Sequence, residues 1–300
     1  MNKKENLFKK YILLYVKGLG VGAADSVPGI SGGTIAFITG IYEELIYSLR
    51  SLTPKNFKLF FTGKIKAFWK AINGNFLLVL VLGIATGLLL LAKFILSMLD
   101  SYPVATWSFF FGLVIISTIS VLKTIRNFSM PVFIAFGTGA VLAFLITIMS
   151  VSQTPNDLWF IFVCGAVAIC AMILPGISGA FILLLMGKYK YILDALLTDF
   201  KIDVILVFAC GAIVGLLSFS HFLSWLLRRF HDITIAMLAG FMFGALNKIW
   251  PWKVQVDSVT SENYLPCAAD DHLYVGIASA AVAVVIFMTI ETIGKKKKLA

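Results

Sequence analysis

The chain has 300 residues, of which 60% are hydrophobic and 13% charged, and it carries a formal net charge of +10. A soluble domain carries about 25% charged residues, so a mean hydropathy of +0.95 and repeated long apolar runs place this chain in a lipid bilayer. A soluble enzyme, a disordered chain and a secreted disulfide scaffold are excluded together, and the basic residues flank apolar runs, where they set topology and do not form a nucleic-acid surface.

The first residues carry Lys3, Lys4, Lys9, Lys10 and Lys17, and no small-residue cleavage site follows a short apolar core, so no cleaved signal peptide is expected. Segment 11–52 is apolar but interrupted by Pro28-Gly29. The following lysine-rich loop, with Lys55, Lys58, Lys64, Lys66 and Lys70 and no acid, is cytoplasmic under the positive-inside rule, as is the N-terminus. Both ends of 11–52 then lie on one side, which predicts a re-entrant hairpin. Full spans are predicted at 76–99, 103–122 and 130–150, with Lys123 and Arg126 inside. A second interrupted segment, 159–199, breaks at Pro175-Gly176, and spans at 203–227, 232–249 and 272–293 follow. Arg228 and Arg229 fall inside, the loop with Asp257, Glu262, Asp270 and Asp271 outside, and Lys295 to Lys298 inside, so both termini are predicted to be cytoplasmic. Cys164, Cys170 and Cys210 lie in apolar segments and Cys267 in a polar loop, so neither a disulfide framework nor a metal site is expected.

The sequence repeats internally. Pro28-Gly29-Ile30-Ser31-Gly32 recurs as Pro175-Gly176-Ile177-Ser178-Gly179, with Gly40 and Tyr42 matched by Gly187 and Tyr189. Further on, Gly83, Gly87, Phe94, Thr106 and Gly112 match Gly211, Gly215, Phe222, Thr234 and Gly240 in the same order. The predicted fold is therefore an all-α polytopic membrane protein of two repeats, 1–150 and 151–300, forming one integral membrane domain. Each repeat is a re-entrant helical hairpin plus three transmembrane helices. Three is odd, so the second repeat is inverted, and the Pro-Gly tips are predicted to meet inside the protein.

The tips concentrate chemistry where it is expensive. Non-helical backbone at membrane depth is tolerated only in protein or around a water-filled cavity. Asp25, Ser26, Pro28, Gly29, Ser31, Gly32, Gly33 and Thr34 in the first tip, with Pro175, Gly176, Ser178 and Gly179 in the second, are the candidate substrate-binding residues. Proline sets the break, glycines expose backbone N–H groups, and the hydroxyls and half-helix dipole complete a site suited to phosphate. Ala180 and Phe181 stand where the first tip has Gly33 and Thr34, so the two sites are related but unequal. The plainer reading makes each motif a tight turn with its hydroxyl bonded to its own backbone. Asp25 is the first candidate for coupling to a proton or sodium ion, and Glu43 and Glu44 follow, against the alternative that they end a solvated helix. Paired glycines such as Gly83 with Gly87 and Gly211 with Gly215 read as helix-packing faces.

Across the whole chain, and most specifically from Asp25 to Thr34, the sequence resembles a bacterial and archaeal membrane family regarded as polyprenyl-phosphate transporters. The resemblance implies transport of undecaprenyl phosphate across the bacterial cytoplasmic membrane for reuse of the cell-envelope carrier lipid, with the tip residues near the substrate. It implies no cofactor and no enzymatic activity. The competing reading is an integral membrane polyprenyl-pyrophosphate phosphatase, whose family follows the serine of a similar motif with arginine. Gly32 and Gly179 stand there instead, and neither tip contains histidine. A small-ion transporter would use the same architecture.

Overall fold

The computed structural model describes residues 3–26, 30–255, 261–267 and 272–299. Pro28 and Gly29 of the first tip, and Asp257, Asp270 and Asp271 of the acidic loop, lie outside the described residues. Helix α1 (Lys3–Asp25) ends in a break, after which come α2 (Gly32–Ile38), a left-handed turn at Gly40 and α3 (Tyr42–Arg50). Next are α4 (Pro54–Phe61), α5 (Ile65–Ala71), α6 (Gly74–Thr86), a π-helical turn at Gly87–Leu91, α7 (Ala92–Ser101), α8 (Pro103–Leu122) and α9 (Met130–Ile148). The second half starts with α10 (Leu158–Ile173), breaks, and resumes as α11 (Gly179–Leu185), a left-handed turn at Gly187 and α12 (Tyr189–Leu197). It closes with α13 (Ile202–Arg229), α14 (His231–Gly244) with a 3₁₀ turn at Ala245–Asn247, and α15 (His272–Leu299).

Gly74–Leu91, Pro103–Leu122, Met130–Ile148, Ile202–Arg229 and His272–Thr289 are long and apolar enough to cross a membrane, and the chain is a helical multi-pass membrane protein. Three details correct or extend the sequence reading. The predicted full span 232–249 is the 14-residue α14, about 21 Å long at 1.5 Å per residue, short of the ~30 Å hydrocarbon layer. Its apolar residues face protein on most sides: Ile235, Ala236, Leu238, Ala239, Phe241 and Met242 are all buried. The lysine-rich loop is two short helices. Thr53 caps α4 by accepting from Asn56 N–H, and Phe60 and Phe68 pack with ring centroids 5.4 Å apart, while Phe61 stays 81% exposed. Finally, the all-α architecture holds, and the loop before α15 adds a short pairing absent from the sequence reading, β1 (Lys253–Gln255) antiparallel with β2 (Ser261–Asn263), Val254 opposite Glu262.

Both halves use one packing scheme. Helix α1 packs on α6 as α10 packs on α13, and α8 packs on α15 as α14 packs on α9. The matched glycines sit at these contacts, where small residues let helix backbones approach. A Cβ on Gly83 would meet Tyr15 O at 2.5 Å, and one on Gly215 would meet Ala166 O at 2.6 Å. On the other pair of interfaces, Gly112 abuts Ala280 and Gly240 abuts Phe136. The packing role expected of Gly83, Gly87, Gly211 and Gly215 is what the structure shows.

Candidate functional site

The break after α1 is closed by its own polar residues. Ser31 caps α2, its Oγ accepting from Gly33 N–H at 3.1 Å, and the Asp25 carboxylate accepts from Gly32 N–H at 2.6 Å. A side chain at Gly32 would run into that carboxylate, so glycine is what allows the approach. The Ser26 hydroxyl donates to Ala23 O at 2.9 Å and Gly22 O at 3.0 Å, finishing the last turn of α1 and not reaching the second tip.

The two interrupted segments interlock. The Thr34 hydroxyl accepts from Gly176 N–H at 2.8 Å, and the Ser31 hydroxyl donates to Leu174 O at 3.1 Å. Ser31 is 0%, Thr34 2% and Ser178 7% exposed, so these bonds lie in the protein interior. A Cβ on Gly33 would meet Ile173 O at 2.7 Å, which shows how closely the first tip approaches the end of α10. Gly176 has φ +87°, and a Cβ there would meet Phe241 O at 2.6 Å, so backbone conformation and close approach to α14 both demand glycine. Ser178 caps α11 by accepting from Phe181 N–H at 3.5 Å, Pro175 is fully buried, and Gly179 packs on Ala168 O. Of the candidate substrate residues, Asp25, Ser31, Gly32, Gly33 and Thr34 are thus brought together with Pro175 and Gly176, and Ser178 and Gly179 continue the second tip. A cavity of about 10 Å³ adjoins this tip at Gly176, Ile177, Ser178 and Phe181, room for about one water. Lys248 lines it, its ammonium 4.5 Å from the Phe181 ring centroid.

The other two coupling candidates lie elsewhere. Glu43 and Glu44, at the start of α3, line a cavity of about 680 Å³ with Tyr47, Asn73 and His231. Glu43 Oε1 is 3.1 Å from His231 Nε2, and Glu44 accepts from Asn73 Nδ2 at 3.1 Å. Tyr42, 2% exposed, also lines this cavity, and its hydroxyl has no hydrogen-bond partner among the described residues. Sequence reasoning passed over His231 because it is remote from both tips in the chain. Its position right after the charged corner Arg228-Arg229 was the available signal, since it places the imidazole at a helix start facing α3. His221 stays on its own helix, with Nδ1 2.7 Å from Leu217 O.

Chemically, the tips present hydroxyls, backbone N–H groups and one carboxylate, among which Asp25, Ser31, Thr34 and Ser178 are bonded to N–H groups of the tips. The carboxylate of Asp25 sits on a backbone N–H that an incoming anion would use, so binding an anion there requires that Asp25 yield its place.

These features define a multi-pass helical membrane protein whose two interrupted helices lock together in its buried interior. The chain belongs to the undecaprenyl phosphate translocase-like family: a family model described as VCA0040-like, undecaprenyl phosphate translocase-like, matches residues 21–265. A Vibrio cholerae protein named polyprenyl-phosphate transporter is 47% identical over 81% of this chain and 79% of its own length. A Staphylococcus aureus protein of the same name is 28% identical over 79% of this chain and 85% of its own. No solved structure matches the chain.

Proposed function

We propose that this chain transports polyprenyl phosphate, undecaprenyl phosphate in particular, across the bacterial cytoplasmic membrane for reuse of the cell-envelope carrier lipid. The observation that carries the reading is the interlock of the two tips, Thr34 with Gly176 and Ser31 with Leu174, within a family whose relatives bear transporter names. A phosphate on a long isoprenoid needs polar groups inside the protein while its tail stays in lipid, and the tips are the buried place where hydroxyls and N–H groups of both halves converge. In this reading the halves are inverted repeats with re-entrant hairpins, both termini are cytoplasmic, and the lysine-rich helices α4 and α5 lie at the cytoplasmic interface.

The structure supports a mechanism by exchange. Asp25 holds the Gly32 N–H within the first tip, beside the bonds that join the two tips. A proton on Asp25 removes the competing charge, frees that N–H for a phosphate oxygen, and ties substrate entry to an ion gradient. The interlocking bonds must then break on one side before the other, which gives alternating access. Substituting Ser31→Ala or Ser178→Ala should weaken polyprenyl-phosphate binding to purified, folded protein. Unchanged affinity in both variants would reduce the tips to a packing motif.

A further inference from the structure

A second charged site lies away from the tips, at the corner between α13 and α14. Arg228 Nε donates to Ser224 O at 3.3 Å, and Arg50 Nη1 donates to Ser224 Oγ at 3.2 Å. Ser224 is fully buried, so guanidinium groups from α3 and α13 are drawn to one residue inside the fold. Arg228 also lines a cavity of about 600 Å³ with Arg126, Arg229 and His231, between the α8–α9 connection and the α13–α14 corner. His231 lines the 680 Å³ cavity too, so the two adjoin at its ring.

The charges in this place do not balance. Among the described residues, none of Arg50, Arg126, Arg228 and Arg229 forms an ion pair. The carboxylate in the cavity, Asp232, is already engaged: it accepts from the backbone N–H groups of Arg126 and Asn127 at 3.2 and 3.1 Å and lies 3.3 Å from His231 Nδ1. Arg126, Arg228 and Arg229 are exposed, so water reaches the three guanidinium groups that line this cavity. Arg50 lies outside the cavity lining, and the Arg228 bond to Ser224 O is a contact with the carbonyl four residues back on its own helix. What points to a ligand is the gathering of three like charges in one cavity, which an anion relieves.

We infer that this arginine-lined cavity binds a phosphate group, taken as a phosphomonoester headgroup by paired guanidinium forks. The planar guanidinium matches phosphate oxygens bidentately, which a lysine cannot do. The inference deepens the transport reading and rests on it for the source of the phosphate: the cavity is where the headgroup docks at the basic end of the bundle, after leaving or before entering the tips. Free phosphate offers the same dianionic oxygens, and an anionic phosphodiester headgroup offers a singly charged version of them.

The test uses the full chain in phosphatidylcholine nanodiscs and measures binding of three probes: undecaprenyl phosphate, phosphatidylglycerol added to the disc, and inorganic phosphate. Arg228→Gln and Arg126→Gln should each weaken binding about tenfold or more, the scale of one charged hydrogen-bonding group, and Arg228→Lys should restore only part of it. Arg126 makes no side-chain hydrogen bond among the described residues, so its variant keeps the test open should Arg228→Gln fail to fold. Loss confined to undecaprenyl phosphate assigns the cavity to the substrate, whereas equal loss for phosphatidylglycerol supports a phosphate site filled by bulk lipid. Undiminished affinity for all three probes in both variants overturns the inference. Transport in vesicles, run in parallel, separates the two ideas. A wild-type chain that binds through the arginines but moves no lipid contradicts the transport reading alone, and variants that bind and transport like wild type contradict the arginine site alone.

Discussion

Replacing Thr34 by valine removes the acceptor of the inter-tip bond while keeping side-chain shape. Gly176 N–H is held at 2.8 Å by the Thr34 hydroxyl, and Thr34 is 2% exposed, so bulk water has little access to the acceptor position. Leaving a buried donor unsatisfied costs about 1–3 kcal/mol. A mid-range cost of about 2 kcal/mol is roughly a 30-fold shift in the equilibrium between joined and parted tips. The closed arrangement should therefore lose both stability and occupancy. Thermal unfolding of the purified chain in detergent, followed by tryptophan fluorescence, should show a midpoint about 3 °C lower for Thr34→Val. Thr34→Ser, which keeps the hydroxyl, should recover most of the loss. Equal midpoints for valine and serine variants, or no change in either, would refute the claim that this bond joins the two halves.

Asp25→Asn keeps an acceptor for Gly32 N–H but cannot exchange a proton, so expression should persist while transport loses its dependence on pH; an unaltered pH profile would remove Asp25 from coupling. Lys253, outside the spanning helices, has its pKa pushed down to about 7 by burial and, secondarily, by neighbouring Lys248. Because the unfolded chain keeps that proton up to about 10.4, the burial penalty is fully present below pH 7 and is relieved as pH rises above it. The Trp107 ring, 3.3 Å from the ammonium, offsets part of the penalty. The thermal midpoint should accordingly climb between pH 7 and 9, and Lys253→Met should flatten the climb; an equal climb in the variant would contradict the assignment. Single cysteines at positions 64 and 263, in a background lacking the exposed Cys210 and Cys267, should react with an impermeant reagent from opposite sides of the membrane. Reaction from one side would overturn the inverted arrangement.

Much of the architecture was legible because a bilayer leaves few options. Apolar length located the spans now seen as α8, α9, α13 and α15, and the duplicated glycines located the interfaces of both halves, since only small residues permit such approach. Helix α14 was misread as a full span for a physical reason: a helix enclosed by protein and one enclosed by lipid are both apolar on every side. The helices α4 and α5 were missed because five lysines without acids read as a topology signal first. At the site, composition marked the tips, but not that Thr34 reaches Gly176 or that Asp25 holds Gly32, since both depend on how the chain folds back. The convergence of Arg50 and Arg228 on Ser224 was hidden for the same reason, as 174 residues separate Arg50 from Ser224.

Transport of the lipid itself is the decisive observable. The purified chain, reconstituted into vesicles carrying undecaprenyl phosphate in one leaflet, should accelerate its appearance in the other leaflet with no release of inorganic phosphate. Movement no faster than in protein-free vesicles, or release of phosphate in step with any movement, would contradict the account.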